Sequence, residues 1–243
     1  MKFFPIKTRP FIPPRDNIFK LLDESLPQLK EGDVVFITSK ILSIHQGKCV
    51  KITKSKTQKS RLTTQEADYS LPASQVAGSE IILTIKDYTL IPSSGIDESN
   101  GSGYLILWPK HPSREAKTIG QYLKRKYRIK KLSIIITDSH TTPLRWGTQG
   151  ISIGFYGLEP LLDYRGKKDI FGRKLKHTQV NVVDSLTAMA VLLMGEGDER
   201  QPLLVLRGAN FIRFTNKDTH RKLVIEPKKD LYYPLLKIFR KNH

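Results

Sequence analysis

Leu132 to Ser139 reads LSIIITDS. Three consecutive isoleucines in a short apolar run, bounded by polar residues, read as a strand buried on both faces rather than one face of a surface strand. The run stops at Asp138, so the expected strand covers Leu132 to Thr137 and delivers an acid and the Ser139 hydroxyl at its end. Working outward, Asp33 to Thr38 (DVVFIT) has the same character. Glu80 to Lys86 and Tyr104 to Trp108 read as strands separated by the polar loop SSGIDESNGSG, a glycine-rich stretch after residue 146 holds the strand ISIGF, and Leu203 to Arg207 and Phe211 to Phe214 read as late strands. Helices are expected over Pro13 to Leu26 with Asp16 as cap, from Ser113 with the stripe Ala116, Ile119 and Leu123, and over Thr178 to Met194. The last is apolar nearly all round and ends at Gly195. Strands and helices alternate without a regular βαβ rhythm, which predicts an α+β fold with mixed sheets.

The chain has 243 residues, with 39% hydrophobic and 26% charged residues, which places it among globular proteins and excludes disorder, collagen and coiled coil as its main character. The longest apolar run, Ala188 to Met194, falls well short of the ~18 residues that span a bilayer. The N-terminal MKFFPIKTRP lacks a signal-peptide core. Cys49 stands alone, so no intrachain disulfide forms and a reducing cytoplasm is the expected compartment. Lys and Arg outnumber Asp and Glu by 41 to 23, a net +18 that favours polyanionic partners. Lys48 to Arg61 carries six cations and no acid, the pattern of a solvated loop. The first 215 residues read as one unit and residues 216–243 as a basic C-terminal extension.

Acids are scarce, so their positions are informative. Asp97 and Glu98 lie in the Ser/Gly loop, Asp138 ends a buried strand, and Glu196, Asp198 and Glu199 follow a buried helix. Three acidic loops at the ends of core elements are how a fold presents hard oxygen ligands to Mg²⁺ or Mn²⁺, which in turn hold phosphates. Ordinary turn chemistry is the better account of any one of them alone, and only the three together bring the metal reading level with it. There is no P-loop and no zinc motif. His45, His111, His140 and His177 have no partner at motif spacing, and Lys48 and Lys51 beside Cys49 are the only feature that would lower its pKa.

In order, TSKILS (Thr38 to Ser43), SGIDESN (Ser94 to Asn100), ITDS (Ile136 to Ser139), GISIGFYGLEPLLDYRGKKDIFGRKL (Gly150 to Leu175) and MGEGDERQPLLVLRG (Met194 to Gly208) resemble the coenzyme F420:γ-glutamyl ligase family. The resemblance implies two intertwined lobes, usually in a homodimer, and a ligase that uses GTP (or ATP) and divalent metal, two ions in all. It joins L-glutamate to an acceptor carboxylate through a γ-linked amide. It places Asp97 and Asp138 at one metal site, and Ser139 with Glu196 at a second. Ser39, Lys40 and Asn100, the segment Ile12 to Arg15, and the loop Met194, Gly195, Glu196, Gly197, Asp198 to Gln201 match nucleotide contacts. The residues themselves suggest Arg145 and Arg165 for the carboxylates of glutamate, because guanidinium pairs with carboxylate bidentately.

Three positions depart from the family pattern. His140-Thr141-Thr142-Pro143-Leu144-Arg145 lacks a Gly-Arg pair, Ile44 stands where a lysine is usual, and Ser93-Ser94-Gly95 replaces Asn-Ala-Gly. The metal-side acids are kept while the segment after Asp138 differs, which suggests a changed acceptor: a folate ahead of the deazaflavin precursor of coenzyme F420. The block Asp163, Tyr164, Arg165 and Asp169 mixes both signs and suits an ion-pair network or a dimer seam rather than a metal. A membrane partner is not expected. A basic RNA-binding protein on an inactive scaffold is the rival reading, and the retained acids and absent RNA-binding signatures speak against it.

Overall fold

A computed structural model describes residues 1–71, 73–76 and 81–242. In chain order the elements are β1 (Lys2–Ile6), α1 (Ile18–Ser25), β2 (Asp33–Thr38), α2 (Ser39–His45), β3 (Cys49–Lys51), α3 (Gln58–Glu66), β4 (Tyr69–Leu71), β5 (Leu83–Lys86), β6 (Thr89–Pro92), β7 (Tyr104–Ile106), α4 (Pro112–Tyr127), β8 (Leu132–Thr141), β9 (Thr148–Tyr156), β10 (Leu161–Asp163), β11 (Gln179–Asn181), α5 (Val182–Met194), β12 (Leu203–Arg207), α6 (Tyr233–Leu236) and β13 (Arg240–Lys241). The fold is α+β.

The largest sheet has the order β1-β12-β2-β8-β9. Only β2 and β8 run parallel within it. Alternation explains why its strands read as unbroken apolar runs. Val35, Ile37, Leu132, Ile134, Ile136, Leu203 and Val205 point into one core with α1, α2 and α4. Val34, Phe36, Ile135, Leu204 and Leu206 point into a second core under α5. Each fully buried Leu, Ile or Phe contributes about 1.5–3 kcal/mol, so the sheet is stabilised from both faces. A smaller sheet, β13-β4-β5-β6, and the ribbon β3-β7 stand beside it.

Several boundaries differ from the sequence reading, each for a local reason. Asn17, not Asp16, caps α1, its side chain accepting from the Phe19 and Lys20 amides. Asp16 is taken instead by Arg9 at 2.6 Å. The basic stretch 48–61 is not all loop: β3 pairs with β7, and α3 begins at Gln58, with Lys48 paired to Glu66 at 2.7 Å. Ser113 is not a cap, because α4 starts one residue earlier at Pro112 behind a left-handed His111. Its hydroxyl serves His220 instead, at 3.1 Å. Strand β8 runs past Asp138 to Thr141 because β9 continues to pair with it. Helix α5 starts at Val182, since residues 179–181 pair with β10 and Asn181 provides the cap. It is buried on one side only, with Met189, Leu192 and Leu193 exposed. Phe211 to Phe214 form no strand; Phe214 alone bridges to Leu158. Glu80 lies outside the described residues, and β5 begins at Leu83. Among the described residues no helix is long and apolar enough to cross a membrane.

Candidate active site

The parallel pair sets the site. Thr38 at the end of β2 is the register partner of Thr137 in β8. The next residues along the chain, Ser39 at the start of α2 and Asp138 in β8, therefore emerge at the same end of the sheet, where open sheets present ligand-binding groups beyond the carboxyl ends of parallel strands. Asp138 continues the row Leu132, Ile134 and Ile136, so it faces the α2 side of the sheet. There the Ser39 hydroxyl donates to it, and the Ser139 amide donates to its Oδ1 at 2.8 Å.

Two further acids arrive from other elements. Asp97 is fixed by mutual backbone hydrogen bonds with Ile106. The turn before it needs Gly95, which has φ +66 and lies flat on the Trp108 ring where a Cβ would collide. Glu196 follows α5. Gly150, the partner of Ser139 across the ladder, lets α5 close down, because a side chain there would strike the Thr187 carbonyl and Val191. The Glu196 carboxylate thereby reaches the Ser139 hydroxyl. Asn100 ties the two loops together, its Nδ2 donating to the Gly197 carbonyl at 3.0 Å.

Charge at this point is poorly balanced. Lys40 pairs with Asp97 at 2.6 Å and donates to the Ser99 carbonyl at 2.7 Å. Desolvation pushes Asp97 up, but Lys40 and the hydroxyl and amide of Ser99 outweigh it and hold the carboxyl below its ordinary value. Among the described residues Asp138 has no cation of its own. The residue is half-buried and lines a narrow cleft. Desolvation, reinforced by the charges of Asp97 and Glu196, pushes it to about 7 against the Ser139 amide and Ser39 hydroxyl. Glu196, an exposed residue, is raised as well, first by desolvation and then by Asp97 and Glu199, against the Ser139 hydroxyl and Lys40.

The cleft holds about 20 Å³ and is lined by Ser39, Lys40, Ser43, Asp97 and Asp138 among others. Ser43 was not singled out from the sequence. It sits one turn after Ser39 on α2, is 1% exposed, and among the described residues its Oγ has no hydrogen-bond partner. Among the described residues no three acids, histidines or cysteines stand close enough to cage a metal alone. Mg²⁺ and Mn²⁺ do not require such a cage, since Mg²⁺ keeps waters and takes phosphate oxygens beside one or two carboxylates. An all-oxygen donor set of Asp97, Asp138, Ser139 and Glu196, two of its carboxylates raised first by desolvation and then by neighbouring acids, with an orphaned hydroxyl in the cleft, fits that chemistry. A larger pocket of about 410 Å³, lined by Lys56, Lys59, Glu98 and Leu105 among others, shares no residue with the cleft. Lacking Asp97, Asp138 and Glu196, it is not where this chemistry gathers.

Other expected residues lie apart from the acids. Arg145 is at the exposed tip of the β8–β9 hairpin, its Nη1 turned back to the Leu144 carbonyl. Arg165 pairs with Asp163 at 2.6 Å, and Asp169 accepts from the Phe171 and Arg173 amides, so this block satisfies itself. Ile12 and Arg15 are exposed before α1, a segment tied to α2 through the Asp16 carbonyl and His45. Met194 is core, Gly195 caps α5, and Asp198 is exposed. Gln201 is half-buried just before β12, and the neighbouring Arg200 carbonyl accepts from the Thr8 amide at 2.9 Å. Burial raises the Cys49 thiol, opposite to the lowering its lysine neighbours suggested.

A carboxylate-rich cleft in an α+β fold is one class of site, and comparison with known proteins makes it specific. The family model described as F420-0:Gamma-glutamyl ligase matches residues 6–208, and the chain belongs to that family. It is thus an enzyme, a γ-glutamyl ligase. Proteins named Coenzyme F420:L-glutamate ligase are similar over most of their length. That of Methanopyrus kandleri is 29% identical, covering 96% of this chain and 97% of its own. Those of Methanocaldococcus jannaschii and Methanothermobacter thermautotrophicus are each 32% identical, covering 75% and 79% of this chain and 78% and 81% of their own.

Proposed function

We propose that this cleft activates an acceptor carboxylate with GTP or ATP and joins it to the amine of L-glutamate, the acceptor being the deazaflavin precursor of coenzyme F420. The relatives' names support that acceptor, and the convergence of Asp97, Asp138 and Glu196 at one end of the parallel strands supports the chemistry. A carboxylate is a poor acyl donor. Its oxygen attacks the γ-phosphorus, the nucleoside diphosphate leaves, and an acyl phosphate results. The glutamate amine then attacks the acyl carbon, phosphate departs, and the ammonium proton passes to phosphate or water. Asp97, Asp138, Ser139 and Glu196 would hold divalent metal, which neutralises phosphate charge when bound. Lys40 and Asn100 bind the phosphates, and the loop that follows Met194, as far as Gln201, contacts the nucleotide. Ser39 orients Asp138. No protein nucleophile takes part.

One observation favours a second acceptor. The hairpin tip after Asp138 carries Thr141 and Thr142, which offer hydroxyls rather than a guanidinium, and this suits a folate with carboxylates but no phosphodiester. The exposed Met189, Leu192 and Leu193 of α5, with Trp146 at the hairpin tip, support a homodimer in which a second copy covers them. The single half-buried Cys49 supports a cytoplasmic site of action. The test is direct. Protein is incubated with glutamate, Mg²⁺ or Mn²⁺, each nucleotide, and deazaflavin and pterin acceptors, and products are weighed by mass spectrometry. A glutamyl increment on the deazaflavin precursor is expected. An increment on folates alone establishes the second acceptor, and none on any acceptor overturns the reading.

A further inference from the structure

The family match ends at residue 208, and the chain beyond it has a character of its own. Residues 216–242 carry eight Lys and Arg against three Asp and Glu. The segment is anchored at both ends. Thr219 donates to the Leu158 carbonyl at 2.8 Å and Lys222 pairs with Glu159. At the far end β13 pairs with β4, and Asn242 donates to the Thr64 carbonyl at 3.0 Å. Between these anchors the chain arches outward. Tyr233, Leu235, Lys237 and Phe239 donate backward along it in successive turns, so 230–239 is close to helical. Leu231, Leu235 and Ile238 fall at i, i+4 and i+7 and share a face. They are 86%, 67% and 55% exposed. Tyr232 and Tyr233 are exposed beside them, and so is Ile225. Of the acids, Glu226 pairs with Lys229, and Asp230 accepts from the Tyr232 amide. Among the described residues Lys228, Lys237, Arg240 and Lys241 are exposed and form no ion pair.

We propose that the arch from Ile225 to Lys241 docks the protein on an anionic lipid bilayer surface. The sequence alone gave no reason to expect a membrane partner; the exposure of this face gives one. Aliphatic knobs, tyrosines that suit the headgroup level and a collar of unpaired cations are the make-up of an interfacial segment. Charge complementarity selects the occupant. A second copy would set one cationic arch against another, whereas α5 offers an uncharged apolar face for that purpose. A nucleic acid would use the cations and leave three protruding aliphatic side chains without a partner.

Flotation with phosphatidylcholine vesicles, with and without about one third phosphatidylglycerol, tests this on the full chain at low and high salt. Wild-type protein is expected to float with anionic vesicles, to be released by salt, and to ignore neutral ones. Lys237→Gln/Arg240→Gln/Lys241→Gln is expected to lower partitioning roughly a hundredfold. The decisive variant is Leu231→Ser/Leu235→Ser/Ile238→Ser, which keeps every charge. It is expected to lose flotation while its circular dichroism melt stays unchanged. If it floats as well as wild type, the attraction is only that of a +18 protein and the proposal falls. Failure of wild type to float at low salt overturns it too. So does a concentration-dependent mass in sedimentation that this variant abolishes, which would assign the face to a second copy.

Discussion

The central sheet places an acid at each of its ends, and the two are treated oppositely. At the end where β2 begins, Asp33 is 0% exposed and fully matched. Arg207 donates to it twice, at 2.8 and 2.7 Å, and the Lys30 amide once more at 2.8 Å. At the end where β2 and β8 finish, Asp138 has, among the described residues, two hydrogen-bond donors, no cation, and two acids within its field. The first end is closed electrostatically and holds strands together. The second is left short of positive charge, and in the function proposed above that shortage is what metal and phosphate would fill. A fold can afford this because the apolar layers between the ends stabilise both.

Breaking the open end should have the largest effect on function. Asp138→Asn is expected to lower turnover about a thousandfold or more, since a carboxylate-to-amide change keeps the shape and removes the charge. The same change should stabilise the metal-free protein. An acid whose folded pKa lies near 7, above its unfolded value, binds its proton more tightly when folded, so stability is lost as pH rises from about 4 to 7. Thermal melts at pH 8 should show the variant more stable by roughly 2–4 kcal/mol, with the gap closing toward pH 4. An unchanged melt would mean that Asp138 is matched after all, and the contrast would vanish.

Breaking the closed end should act on stability alone. Arg207→Met strands a buried carboxylate and is expected to cost about 3–5 kcal/mol in denaturant titration, while turnover per folded molecule holds. Adding Asp33→Asn should recover much of the loss, which a purely steric account of Arg207 does not predict. Lys40→Met lies between the two. It frees Asp97 and removes the phosphate partner proposed above, so the nucleotide KM is expected to rise about ten- to a hundredfold, or about 1.4–2.8 kcal/mol, with little change in the melt. Trp146→Ala, fully exposed at the hairpin tip, should leave stability within about 0.5 kcal/mol. Analytical ultracentrifugation and acceptor KM will show whether that tip serves a second copy or the substrate.

The sequence revealed the closed parts of this design better than the open ones. DVVFIT and LSIIIT announced buried strands because both faces of the sheet are covered, and Gly195 marked the end of α5. The extension of β8 through Asp138 was hidden, since polar residues paired in a hairpin look like a strand end. The face of α5 that carries Leu192 was hidden as well, because an apolar helix reads as buried whether or not its cover belongs to the same chain. Asp97, Asp138 and Glu196 were conspicuous in a chain poor in acids. Ser43 and Ser99 lay inside quoted motifs and still went unmarked; serine is so common in turns and caps that only its geometry, an orphaned Oγ in one case and bonds to Asp97 and Lys40 in the other, sets it apart.

The neighbours of β2 have a consequence for how the protein is made. One edge of β2 pairs with β8 and the other with β12, which itself covers β1. On a ribosome, β2 emerges long before either partner. At about 5–20 residues per second, its β12 edge waits on the order of ten to thirty seconds, a bare apolar strand in a crowded cell. Nascent chains halted before Leu203 should therefore be the species that chaperones hold and that aggregates when they do not.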